Sequence, residues 1–170
     1  PPFPAADLDV LTAYVDAAHA TDMKSRRSVT GSGIVLANAA VSYKTKLQPV
    51  VATSSTEAEF VAAVTAAKDV KHLRSILCGL GYPSLEPTKI LMDNQAAIAM
   101  INEQRPTQRS RHIDIQHFAI QEWRAAREII MDHIAGIINP ADAATKAVGC
   151  FLHQRHTRRL MGHYKPITTK

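Results

Sequence analysis

The stretch "TKILMD" (residues 88–93) constrains this chain more than any other. It is a short apolar run without alternation, the pattern of a strand covered on both faces, and it passes at once into the helical "NQAAIAMINE". Such a strand belongs inside an α/β sheet. The flanking segments supply the rest of one. "LDVLTAYVDA" reads as a strand ending near Asp16, and "GSGIVLAN" and "AAVSYKTK" read as two more, close enough to form a hairpin. From Ser55 to about Leu80 the pattern is helical and stops at "CGLGYP". A basic connection, "RPTQRSRH", leads to a helix over about Ile113 to Arg127, a fifth strand "EIIMDHI", and a final helical part starting at "NPADAATKAV". The plan is a mixed α/β domain with one central sheet.

A chain of 170 residues can bury a proper core, and 46% apolar with 21% charged residues is ordinary globular composition. No apolar run approaches the roughly 20 residues of a membrane-spanning helix. Cys78 and Cys150 form no CxxC pair, which argues against a disulfide framework and for a reducing, intracellular setting. The start, "PPFPAADLDV", has no methionine and no targeting pattern, so the chain reads as a piece of a longer polypeptide. The net charge of +5 is uneven, with no acidic residue from Ala143 to Lys170. A polyanionic partner is expected.

Chemistry points to the carboxylates. In "SSTEAEF" two glutamates stand two residues apart, about 200° around a helix. Glu59 lies within about 40° of the stripe formed by Ala63, Ala66, Val70, Leu73 and Leu77, whereas Glu57 falls on the flank that turns polar. Glu59 therefore heads the buried face. Capping offers another account: Thr56 and Glu59 fit a capping box, Asp93 lies near the start of a helix, and Asp142 is the acidic third position after Asn139 and Pro140. Asp16, at the end of a strand, has no such explanation. If the strands ending at Asp16 and Asp93 are neighbours, these two acids, Glu59 and Asp142 converge at one end of the sheet. Four clustered acids need compensation, which divalent cations with oxygen ligands provide, and two metals about 3.5–4 Å apart are a standard device for phosphodiester hydrolysis.

The blocks "YVDAAHATD", "RRSVTGSGIVL", "SSTEAEF", "MDNQAAIAMI", "RSRHIDIQHFAIQEW" and "NPADAATK" occur in that order over about residues 12–148. In this the chain resembles the ribonuclease H domain of copia-type LTR retrotransposon polyproteins. The resemblance implies a ribonuclease H-like fold, with a five-stranded mixed sheet of three antiparallel strands followed by two parallel ones, and helices on both faces. It implies cleavage of the RNA strand of RNA/DNA hybrids during reverse transcription with two Mg²⁺ ions, for which Mn²⁺ can substitute. Asp16 would bridge both ions, one shared with Asp142 and the other with Glu59 and Asp93. His133 is a candidate for the histidine that many ribonucleases H carry before the last aspartate for product release, although copia-type domains often lack one there, and a structural histidine at a strand end is the other reading. Where the family often has a tryptophan three residues after the first aspartate, this chain has His19.

The same resemblance divides the chain into a linker over residues 1–10, a ribonuclease H domain over 11–148 and a basic extension over 149–170. It implies an upstream reverse transcriptase domain as partner, no membrane, and a cytoplasmic particle or the nucleus as location. Oligomeric state stays open. Ser54, Asn94 and Gln95 are candidate contacts to 2′-hydroxyls, or plain helix-capping residues. Arg105, Arg109, Arg111, Arg155, Arg158 and Arg159 are candidate phosphate contacts, or a solvated face. Three rival readings are a non-catalytic tether in a reverse transcriptase, an integrase or resolvase of related fold, and a zinc site in the tail from Cys150, His153, His156 and His163. The last would spread its ligands too widely along one helix.

Overall fold

The computed structural model describes residues 11–103 and 111–162, with the backbone alone for residues 111–114. Five strands, β1 (Thr12–Ala18), β2 (Val29–Leu36), β3 (Ala39–Leu47), β4 (Thr88–Met92) and β5 (Ile129–His133), form one sheet of order β3-β2-β1-β4-β5. β1–β2 and β2–β3 are antiparallel, and β1–β4 and β4–β5 are parallel. This is the expected mixed sheet. β1 runs two residues past Asp16, so the acid lies within the strand rather than at its last position. β2 starts two residues earlier than "GSGIVLAN" suggests. It turns into β3 through Ala37 and Asn38, both at positive φ (52° and 64°), the backbone a two-residue hairpin requires.

The long helix α1 (Ser55–Gly79) covers one face with α2 (Gln95–Asn102) and α3 (Arg111–Ala125). Its first half is buried all round, from Ala58 through Val64, because the small side chains of Ala58, Ala62 and Ala63 let the helix lie close against the sheet while Phe60 and Val61 fill the core. α1 ends where Gly81, at φ +87°, sends the Tyr82 amide back to the Leu77 carbonyl at 2.8 Å. The final helical part is broken into three pieces: a 3₁₀ turn (Gly136–Ile138), the single-turn α4 (Asp142–Thr145) and α5 (Cys150–Leu160).

Alternation along β1 separates two cores. Leu11, Ala13 and Val15 pack on the α1 side, while Tyr14 faces the opposite side with Val35, Ile134 and Ala141. α5 packs back on that second side: Leu160 joins this cluster, Arg159 donates to the Tyr14 hydroxyl at 3.2 Å, and His156 is fully buried. Asp16 continues the Tyr14 face, and α4 covers it. Among the described residues, no metal-competent group includes Cys150, His153 or His156.

Candidate metal centre

The parallel register of β1 and β4 makes the site. Thr12 pairs with Lys89, Ala13 with Ile90 and Tyr14 with Leu91, so two residues further along each strand Asp16 stands beside Asp93. Glu59 reaches the same place from α1 and accepts from the Ala17 amide at 3.2 Å. One ligand oxygen from each of Asp16, Glu59 and Asp93 lies within 4.8 Å of the other two, the only such group of acids, histidines or cysteines among the described residues. They come from a strand interior, a helix and a strand end 77 residues of sequence or less apart. The tertiary fold alone joins them.

The capping account of Glu59 does not hold. Ser54 is the N-cap of α1 and accepts from the Glu57 amide at 3.1 Å, and Glu57 returns its Oε2 to the Thr53 amide at 2.8 Å. Glu57 is the acid that caps, which leaves Glu59 for the site. Its Oε2 is buried without a hydrogen-bond partner. Burial first, then the charges of Asp16 and Asp93, push its carboxyl up to about 8. Burial and the charge of Asp16 raise Asp93 as well. Asp16 is also raised, by burial, against the opposing pull of the Thr145 hydroxyl bond and of Lys146. A buried, partnerless carboxylate oxygen beside two further acids is a donor set suited to a hard cation.

Asp142 stands on the other side of Asp16. The Lys146 ammonium lies 2.9 Å from Asp142 Oδ1 and 3.7 Å from Asp16 Oδ2. The spacing after Asn139 predicts a helix cap there, but α4 begins at Asp142 and has no side-chain cap. Asn139 instead is completely buried and crosses to β1, donating to the Val15 carbonyl at 2.8 Å while accepting from the Ala141 amide at 3.2 Å. It ties the Asp142 turn to the strand that carries Asp16.

Four further residues shape the site that motif reading passed over. Thr145 donates its hydroxyl to Asp16 Oδ2, and Lys146 pairs with both aspartates. Their spacing from Asp142, three and four residues along "DAATK", was the available signal. Gly31 on β2 gives α4 its place: a Cβ there would stand 2.6 Å from Thr145 Cγ2 and 2.8 Å from both the Ala141 carbonyl oxygen and Ala144 Cβ. Gly136 leaves room for Asp93, whose Oδ2 lies 2.8 Å from where its Cβ would be.

His133 ends β5, exposed, and its charge acts to lower the Asp93 carboxyl. It is no core histidine. His19 holds the exit of β1, with its Nε2 3.1 Å from the Ala52 carbonyl. Ser54 and Asn94 both cap helices, Asn94 accepting from the Ala97 amide at 3.0 Å, and Gln95 is the exposed first residue of α2. Arg155, Arg158 and Arg159 lie on α5, with the Arg159 guanidinium 5.0 Å over the Tyr14 ring. Arg111 opens α3, its side chain not described, and Arg105 and Arg109 lie outside the described residues, as does His163.

No protein-family model matches the chain. The Pol polyprotein of the Nicotiana tabacum transposon TNT 1-94 is 34% identical over 139 residues, 82% of this chain. That of the Arabidopsis thaliana transposon RE2 is 27% identical over 150 residues, 88% of this chain. The chain spans about a tenth of the length of these curated relatives, 10% of each. Among solved structures, LC11-RNase H1, isolated from compost, matches with a TM-score of 0.59 at 14% identity, covering 80% of this chain and 92% of its own. RNase H1 of Halobacterium salinarum matches with a TM-score of 0.55 at 14% identity, covering 79% and 92%. LC11-RNase H1 has also been solved in complex with an RNA/DNA hybrid, a structure that matches with a TM-score of 0.56 at 14% identity, covering 76% and 88%. The chain is therefore a relative of the retrovirus-related Pol polyproteins of copia-type plant transposons, folded as a ribonuclease H domain.

Proposed function

We propose that this chain is a metal-dependent endoribonuclease that hydrolyses the RNA strand of RNA/DNA hybrids during reverse transcription. The observation that carries the reading is the convergence of Asp16, Glu59 and Asp93 within 4.8 Å at one end of the sheet, with Asp142 sharing Lys146 with Asp16 on the other side. Asp16, Glu59 and Asp93 would hold one divalent ion, and Asp16 with Asp142 a second, Mg²⁺ or Mn²⁺. When bound, such ions supply the positive charge that activates water and stabilises the leaving oxygen in phosphodiester hydrolysis.

The chain's own groups do the rest. Thr145 fixes one oxygen of Asp16, the Ala17 amide orients Glu59, and Asn139 keeps the Asp142 turn in register with β1. Asn94, whose oxygen caps α2, contacts 2′-hydroxyls of the RNA strand together with Gln95 and Ser54. His133, exposed beside Asp93, assists product release. Arg155, Arg158 and Arg159 of α5, with Arg105, Arg109 and Arg111, bind phosphates of the hybrid. The partner is a polymerase domain of the same polyprotein, and the setting a cytoplasmic particle.

The test is cleavage of a hybrid labelled on either strand, by this chain and by Asp93→Asn, with Mg²⁺ or Mn²⁺. Metal-dependent cutting confined to the RNA strand and lost in the variant is expected. A folded chain that binds hybrid yet cuts neither strand, even with the polymerase added back, would refute the proposal and leave a tethering role.

A further inference from the structure

Lys146 is a charge placed where the metal reading has no use for one. It follows Thr145 at the end of α4, its backbone is extended (φ −146°, ψ 155°), and its side chain is half exposed. The ammonium lies 2.9 Å from Asp142 Oδ1 and 3.7 Å from Asp16 Oδ2, the two carboxylates that would share an ion. These acids belong to elements far apart in sequence, and two like charges brought together repel. A lysine is a compact point charge on a flexible stem, so it can neutralise such a pair and still withdraw to solvent. The extended backbone and half-exposed side chain leave that route open.

We propose that Lys146 is a tethered counter-cation: without metal its ammonium holds Asp16 and Asp142 together, and it yields that place to a divalent ion bound by the same two carboxylates. The inference rests on the metal-centre reading and adds a competitor to it. A lysine ammonium carries its charge over the working range of pH. Two consequences of opposite sign follow. Removing the charge loosens the metal-free protein and at the same time tightens metal binding. A lysine that merely stabilised the fold would weaken both.

The experiment measures Mn²⁺ binding by calorimetry and thermal unfolding in chelator, on the full chain and on Lys146→Gln, Lys146→Arg and Lys44→Gln. Lys44 removes the same unit charge from an ion pair elsewhere, with Asp69 at 2.8 Å. Lys146→Gln is expected to bind Mn²⁺ about 3- to 10-fold more tightly, the worth of one or two half-exposed ion pairs. In chelator its Tm is expected to fall by about 2–4 °C. Lys146→Arg stays close to the wild type in both, and Lys44→Gln leaves Mn²⁺ affinity unchanged. Equal or weaker Mn²⁺ binding by Lys146→Gln would overturn the inference. If neither the wild type nor Lys146→Gln takes up Mn²⁺, the metal centre itself is refuted, whereas uptake by Lys146→Gln alone supports the competition in its strongest form.

Discussion

Replacing Glu59 by glutamine should stabilise the protein without metal and weaken it with metal. The side chain is 5% exposed, its Oε1 accepts from the Ala17 amide, and its Oε2 has no hydrogen-bond partner. Burial and the neighbouring aspartates raise its carboxyl from 4.5 to about 8. Between those two values the folded protein keeps a proton that the unfolded chain has lost, so stability without metal falls as pH rises through the window and levels off above it. At about 1.36 kcal/mol per pH unit, the interval from 4.5 to about 8 corresponds to roughly 4–5 kcal/mol. Glutamine never ionises, but its NH₂ takes the place of the partnerless Oε2, which returns about 1 kcal/mol or more of that gain. A net gain of about 2–4 kcal/mol near pH 8 remains, or about 5–10 °C in Tm for a domain of this size. Metal reverses the sign, because ligands must be deprotonated to bind and the amide cannot replace a charged donor. Thermal unfolding by circular dichroism, from pH 5 to pH 8, in chelator and in saturating Mg²⁺, reads both halves. A wild-type Tm that does not fall with pH in chelator, or a Glu59→Gln protein no more stable than the wild type near pH 8, would refute the electrostatic account.

Three other substitutions probe the groups that hold the acids in place. Gly31→Ala drives a Cβ into Thr145, Ala144 and the Ala141 carbonyl, so α4 has to move off β2; a loss of about 1–3 kcal/mol in urea unfolding is expected, with weaker Mn²⁺ binding in calorimetry. Asn139→Ala leaves the buried Val15 carbonyl without its donor, costing about 1–3 kcal/mol and lowering the urea midpoint with the slope unchanged. Gly136→Ala crowds only the Asp93 carboxylate and sits on a short partly exposed turn, so hybrid cleavage should fall sharply while the urea midpoint changes little.

Much of the fold was legible because its signals are short-range. The apolar Ile90–Met92 of β4, the alternation of β1 and the glycine stop of α1 each act within one or two turns of chain, and each element formed close to where these features place it; β4 nonetheless alternates in burial, with Lys89 exposed and Leu91 half-buried, where covering on both faces was expected. Element ends were read less well. Ala37 and Asn38 read as strand but form a hairpin turn; Asn38 tolerates positive φ, but Ala37 gives no local signal of it and there is no glycine beside them to mark the turn. In the site, helical phase picks Glu59 over Glu57, yet phase says only that Glu59 points inward, and the capping alternative falls because Ser54 accepts from the Glu57 amide while the Glu57 carboxylate accepts from the Thr53 amide.

Asn139 misled in the opposite way. Its position before Pro140 and Asp142 resembles a helix start, while its amide is spent on the Val15 carbonyl 124 residues away. The sequence alone determined the kinds of element, their order, and which acids face inward, because period, caps and breakers are local properties of the backbone and its nearest side chains. The tertiary structure alone decided that Asp16 and Asp93 lie side by side, that Glu59 joins them and that Lys146 bridges Asp16 to Asp142. Those meetings depend on the parallel register of β1 with β4 and on the close approach of α4 to Gly31, which are properties of packing between segments far apart in the chain.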